Sequence, residues 1–341
     1  MANWAKQEIA RWSNDLSLLT RKELPAQLAL LIARWKMVAK PNSLSRSLPP
    51  KWTVPPLTEY DKDIIRTLEQ RFQIPFEGVA RDVLQLSTRL GGVGFSPSAE
   101  AAPHAFVAGM AASFATQLPV LNAVADKGFE AIKETASCKA LDEQLRLYRS
   151  AKDLEWEKKK KMLNVGDFLR HFWGQKDASH KLQSHIVGAF RSARRKETVR
   201  KATQEERKRL ESRANRSTAL VWKAYPLVRE MRLNDEETRF LLAYATGATL
   251  PGLPQQCSCR VNKLTLEHAV TCGTEKLTRH NMLQARLVAF AREQGVTVEQ
   301  NRRLTVEDAR ECQEPDIIFH FGAHRPLETD VTVVNPCPQA S

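Results

Sequence analysis

The chain has 341 residues, 42% of them hydrophobic, enough for one large core or two smaller ones. Lysine and arginine (52) outnumber aspartate and glutamate (39), and the resulting charge of +13 favours a polyanionic partner. No apolar run is long enough to span a bilayer, and the first residues carry no signal core. A membrane partner is therefore not expected, and a reducing compartment, nuclear or cytoplasmic, is.

Residues 1–40 read as two amphipathic helices. Trp4, Ile9, Leu16 and Leu19 suggest one apolar face, and Leu28, Leu31, Ile32 and Trp35 the next. Pro41, Pro49, Pro50, Pro55 and Pro56 predict an extended connection. Helical spacing resumes with Ile64, Ile65, Leu68 and Phe72, a glycine turn follows over 89–95, and the alanine-rich stretch 99–133 favours helix.

Residues 139–216 are charged and read as mostly helical. Lys158 to Lys161 form one basic run. A longer tract contains Arg191, Arg194, Arg195, Lys196, Arg200, Lys201, Arg207, Lys208, Arg209, Arg213 and Arg216. A charge run is often a solvated helix face; the functional reading is a surface that tracks phosphates by releasing counterions. Phe168, His171, Phe172 and Trp173 lie between the runs, as core or as a base-stacking cluster. Residues 217–250 look helical again, closed by Gly247, Pro251, Gly252 and Pro254.

Cys257 and Cys259 are followed by His268 and Cys272. Zinc takes four sulfur or nitrogen ligands in a tetrahedron, and this quartet supplies them. The two cysteines form one edge; His268 and Cys272, four apart, share one side of a helix and form the other. Four protein ligands leave no open position, so the Zn²⁺ is expected to be structural. The alternative is a set of unconnected buried cysteines.

A helix over about 275–294 and three strand-like runs, 296–300, 315–321 and 327–334, complete the chain. If the last two pair as a hairpin, Asp316 begins one strand, and Glu328 and Asp330 share a face of the next. Asp316 and Asp330, with Glu328 as a third candidate, then suit one or two Mg²⁺ ions that polarise a phosphate and ready a water for attack. An exposed acidic hairpin is the alternative.

Together, the cysteine–histidine cluster, Arg279-His280-Asn281, Pro315-Asp316 and the run from Asp330 to Val333 resemble the C-terminal region of site-specific non-LTR retrotransposon reverse transcriptase proteins. In that class a CCHC knuckle precedes a restriction-like endonuclease of the PD-(D/E)XK type, which nicks chromosomal DNA to prime reverse transcription. The resemblance covers roughly residues 237–336. Segments 25–50 and 89–94 are similar to the region after the polymerase palm.

The resemblance implies a mainly α N-terminal region followed by a small zinc knuckle and a truncated α/β restriction-endonuclease-like core. Its expected divisions are a helical post-palm region (1–135), a basic helical nucleic-acid-binding region (136–236), the knuckle (237–274) and the nuclease core (275–341). It implies metal-binding roles for Asp316 and Asp330, and DNA contacts for Arg279 and His280. The partners it implies are DNA and the element's RNA. Thr332 stands where that nuclease fold usually has its lysine, and the helix and strand that close the core are not seen. Residues 60–63 (Tyr-Asp-Lys-Asp) depart from the polymerase's Tyr-x-Asp-Asp motif and read instead as a helix N-terminus. Two further readings are a non-catalytic, zinc-stabilised nucleic-acid-binding module and a degenerate fragment.

Overall fold

The computed structural model of the chain describes residues 2–116, 135–150, 168, 176–214, 232–252, 256–257, 259, 268, 272–300, 317–320 and 327–329. These fall into two compact units, residues 1–223 with 234–249, and residues 224–233 with 250–341. Residues 136–223 and 234–236 of the region expected at 136–236 lie in the first unit, and residues 224–233 in the second. The helix at 235–246, expected beside the knuckle, belongs to the first.

The first unit is helical because its apolar residues recur at three- and four-residue spacing. Helix α1 (Ala2–Leu16) buries Ala5, Ile9, Trp12 and Leu16. Trp4, expected on that face, is 53% exposed: it sits one residue, about 100° of helix rotation, away from Ala5. Helix α2 (Ala26–Ile32) runs into a π-helical turn (Ala33–Met37), closed by the Val38 N–H donating to the Ala33 carbonyl at 3.0 Å. The wider turn shifts the helical phase, so Met37 is buried while Trp35 is 43% exposed, against expectation.

The prolines do not make an extended connection. Helix α3 (Pro41–Ser47) and helix α4 (Pro50–Phe72) each begin with one, where no intrahelical N–H bond is required. Pro55 and Pro56 remove two further bonds, but both lie near the start of a 23-residue helix. Beyond them Leu57, Tyr60, Ile64, Leu68 and Phe72 form one buried stripe that holds the helix in place. Tyr60 is fully buried, and its hydroxyl donates to the Met37 carbonyl at 3.1 Å, at the end of the π turn.

Helix α5 (Gly78–Gln85) and a 3₁₀ turn (Thr88–Leu90) precede the expected glycine turn. Helix α6 (Ser98–Thr116) is apolar on all sides and packs against α3, α4, helix α7 (Ala136–Ser150) and helix α8 (Lys176–Lys201). A Cβ on Gly109 would stand 2.2 Å from the Arg46 carbonyl oxygen, so this glycine sets the closeness of α3 and α6. The residues read as a helix start, 60–63, lie in the middle of α4. From there the Asp61 carboxylate accepts the N–H groups of Ser98 and Ala99, each at 2.9 Å, and caps α6 instead.

Helices α9 (Gln204–Arg213) and α10 (Asp235–Thr246) start with capping boxes, Thr203 with Glu206 and Asn234 with Glu237. Asp235 accepts the Ala26 N–H and an Arg71 N–H, both at 2.8 Å, tying α10 to the start of α2.

In the second unit, helix α11 (Gly273–Glu293) precedes strands β1 (Thr297–Gln300), β2 (Ile317–His320) and β3 (Leu327–Thr329). They form an antiparallel sheet in the order β1-β2-β3. Val288 and Ala291 of α11 pack on Val298 and Ile317, with Val296 and Phe319 at the margin. No helix among the described residues is long and apolar enough to cross a membrane.

Burial pushes the Asp61 carboxyl from 3.8 up to about 6, against the opposing pull of its two backbone bonds. The folded state therefore keeps this proton to higher pH than the unfolded chain. Its contribution to stability is greatest below the unfolded value and declines as pH rises through that window. Asp61→Asn is expected to remove this decline, measured as denaturation midpoints across the pH series. Asp61→Ala, which leaves two amides without their acceptor, should lower stability by about 1–2 kcal/mol at neutral pH. Gly109→Ala should cost about 1–3 kcal/mol in chemical denaturation, as α3 and α6 are forced apart.

Candidate metal centre

The four residues read as a zinc quartet converge. Their ligand atoms, one each from Cys257, Cys259, His268 and Cys272, all lie within 4.8 Å of one another. The Cys257 and Cys272 sulfurs are 3.7 Å apart, and the Cys259 sulfur is 3.3 Å from His268 Nε2. Metal–sulfur bonds of ~2.3 Å and metal–nitrogen bonds of ~2.0–2.1 Å make tetrahedral edges of roughly 3.8 Å (sulfur–sulfur) and 3.6 Å (sulfur–nitrogen). Those two edges are therefore close to the size a zinc ion requires, and the quartet is close enough to bind a metal ion.

Local backbone explains the convergence. The Cys272 N–H donates to the His268 carbonyl at 2.8 Å, a one-turn hydrogen bond that stacks the two side chains as their spacing predicts. Cys272 is also the N-cap of α11. Three thiolates, one imidazole and a divalent ion sum to one negative charge, which the positive end of a helix favours. Cys257 and Cys272 are buried, while Cys259 and His268 are half-buried. Cysteine and histidine without a carboxylate are a borderline-soft donor set, suited to zinc over magnesium or calcium.

The acidic candidates are only partly placed. Asp316 and Asp330 lie outside the described residues. Glu328 is on β3, where the register pairs it with Ile318; Ile317 pairs with Thr329 and Phe319 with Leu327. Ile317 belongs to the core packed under α11, so the alternating position of Ile318 and Glu328 is on the other face of the sheet. Glu299 of β1 pairs with Ile318 from the opposite side. One cross-sheet row therefore reads Glu299, Ile318, Glu328. Glu299 was not singled out from the sequence, although its place in an alternating strand carried the signal. Its carboxylate is 3.1 Å from His320 Nε2.

The basic tract divides into outward and inward cations. On α8, Arg191, Lys196, Arg200 and Lys201 are exposed, and Arg194 and Arg195 are half-buried. Arg194 donates to Glu100 and to Gln85, and its guanidinium is 3.9 Å from Asp82. Lys201 lies 3.2 Å from Asp82, and Arg200 pairs with Glu197 at 2.8 Å. Arg209 and Arg213 of α9 are buried. Arg213 donates to the Ala245 carbonyl, and Arg209 stacks over the Tyr244 ring at 5.8 Å, so both serve the negative end of α10. Burial, with the like charge of Arg209, lowers the Arg213 guanidinium to about 10. Phe168 is buried, whereas His171, Phe172, Trp173 and residues 158–161 lie outside the described residues. Arg279 and His280 fall within α11.

Compared with family models, curated proteins and solved structures, the chain matches none.

The purified protein is expected to carry about one zinc per chain. Cys257→Ser or His268→Ala should reduce that to a small fraction by elemental analysis. Chelation should lower the thermal midpoint of the wild type and leave Cys257→Ser nearly unaffected, because metal binding and local folding are coupled. A wild-type protein free of bound zinc, prepared with zinc supplied, would sink the assignment.

Proposed function

We propose that this chain is the nucleic-acid-binding and DNA-nicking region of a non-LTR retrotransposon reverse transcriptase protein, acting in target-site cleavage for target-primed reverse transcription. The observation that carries the reading is the order of parts in the second unit. A cysteine–histidine quartet passes directly into a helix, and the helix is followed by an antiparallel sheet whose last hairpin lies in the Pro315-Asp316 to Asp330 segment.

In this reading the zinc ion is structural and anchors the start of α11. Asp316 and Asp330 would hold Mg²⁺, with Glu328 as a third carboxylate, and the bound ion would polarise the scissile phosphate and lower the pKa of a water. In sequence the two aspartates immediately adjoin Ile317 and Thr329, a described pair of the β2–β3 ladder. The exposed cations of α8, with Arg279 and His280, would hold DNA or the element's RNA through its phosphates. Thr332 in the place of the usual lysine favours the second reading, a zinc-stabilised binding module that does not cut.

The deciding experiment is a supercoiled-plasmid nicking assay with Mg²⁺. Nicking is expected from the wild type, with a loss of about a hundredfold or more in Asp316→Ala and in Asp330→Ala. Salt-sensitive binding with no nicking above the Asp316→Ala background would favour the binding module. The absence of both would sink the nucleic-acid reading.

A further inference from the structure

The first unit contains a cavity that neither the basic-surface reading nor the zinc centre uses. Its volume is about 300 Å³, and Arg34, Asn42, Ser45, Ser96, Ser98 and Arg191 supply its polar wall. That size is at the lower end of the range for small-ligand sites. No aspartate or glutamate lines it among the described residues. The contrast with the next turn of α8 is direct: there Arg194 meets both Glu100 and Asp82.

The surrounding backbone keeps Arg34 in place. This residue stands in the π-helical turn Ala33–Met37, a local geometry that is rare and often re-aims a side chain at a functional site. Gly94 adopts a left-handed φ of +103°, and a Cβ there would come within 2.7 Å of Arg34 Nε. A glycine at that position gives the guanidinium its space. Burial holds Arg34 below the ordinary arginine value.

We propose that this cavity binds a phosphate group, gripped by the guanidinium forks of Arg34 and Arg191. Planar forks match tetrahedral oxyanions with paired hydrogen bonds. Ser45 and Ser96 add hydroxyl donors, and Asn42 also lines the cavity. Asp61, which accepts the Ser98 N–H, has its carboxylate committed to the start of α6. The site stands independently of the nuclease reading, since every residue named belongs to the first unit.

The test is calorimetric titration of the 341-residue chain with inorganic phosphate, then competition with a short oligonucleotide bearing or lacking a 5′-phosphate. Saturable phosphate binding is expected. Arg34→Gln and Arg191→Gln should each weaken it roughly tenfold to hundredfold. Lys62→Gln and Arg66→Gln, exposed on α4 and away from the cavity wall, should bind as the wild type does. Competition by the 5′-phosphorylated oligonucleotide alone would identify a strand end as the source of the phosphate. Competition by neither would identify a small anion. Should Arg34→Gln fail to fold, Arg191→Gln, altered at an exposed position, carries the test. Absence of saturable phosphate binding, or unchanged affinity in Arg191→Gln, would overturn the proposal.

Discussion

Cys272 joins two requirements in one residue: it is a ligand of the candidate metal centre and the position from which α11 starts. A cation held by Cys257, Cys259, His268 and Cys272 therefore fixes the first turn of the helix that covers the sheet. Among the described residues, the hydrophobic cluster under α11 has Val288, Ala291, Val298 and Ile317 as its buried members. Metal binding and local folding are coupled where the ligands come from short segments. In the second unit, the quartet stands at the start of the helix that packs on the sheet.

The first unit obtains its cohesion differently. Helix α6 is apolar around its whole circumference and has neighbours on several sides. Such a helix needs its end groups satisfied from outside, and Asp61 does this from the middle of α4. The burial that makes the contact also raises the Asp61 pKa, so the cap works against a desolvation cost. Gly109 permits the close approach of α3, while Tyr60 closes the π turn through the Met37 carbonyl.

Positive charge in this chain serves two ends. Arg209 and Arg213 are turned inward onto the C-terminal end of α10, and Arg194 bridges α8 to α5 and α6. Arg191, Lys196, Arg200 and Lys201 remain at the surface. A net charge of +13 thus overstates the cations available to a polyanion. Arg191 belongs also to a cavity whose wall lacks acids among the described residues.

Local patterns in the sequence settled what depends on spacing and composition. The helices within 1–40, the helical spacing at 64–72, the glycine turn before α6, the α11 helix, its three following strands and the convergence of the cysteine–histidine quartet were legible, because helix and strand periodicity and ligand spacing are local properties. What required tertiary structure was the destination of each polar group. Prolines at 41–56 proved compatible with helices once their positions within each helix were fixed. Residues 60–63 became a cap for a helix almost forty residues away in sequence. The π turn moved Trp35 to solvent. Glu299 joined the row of Ile318 and Glu328, and Arg209 and Arg213 of the basic tract turned inward. Burial and long-range pairing decide these outcomes, and neither is encoded in the neighbours of a residue along the chain.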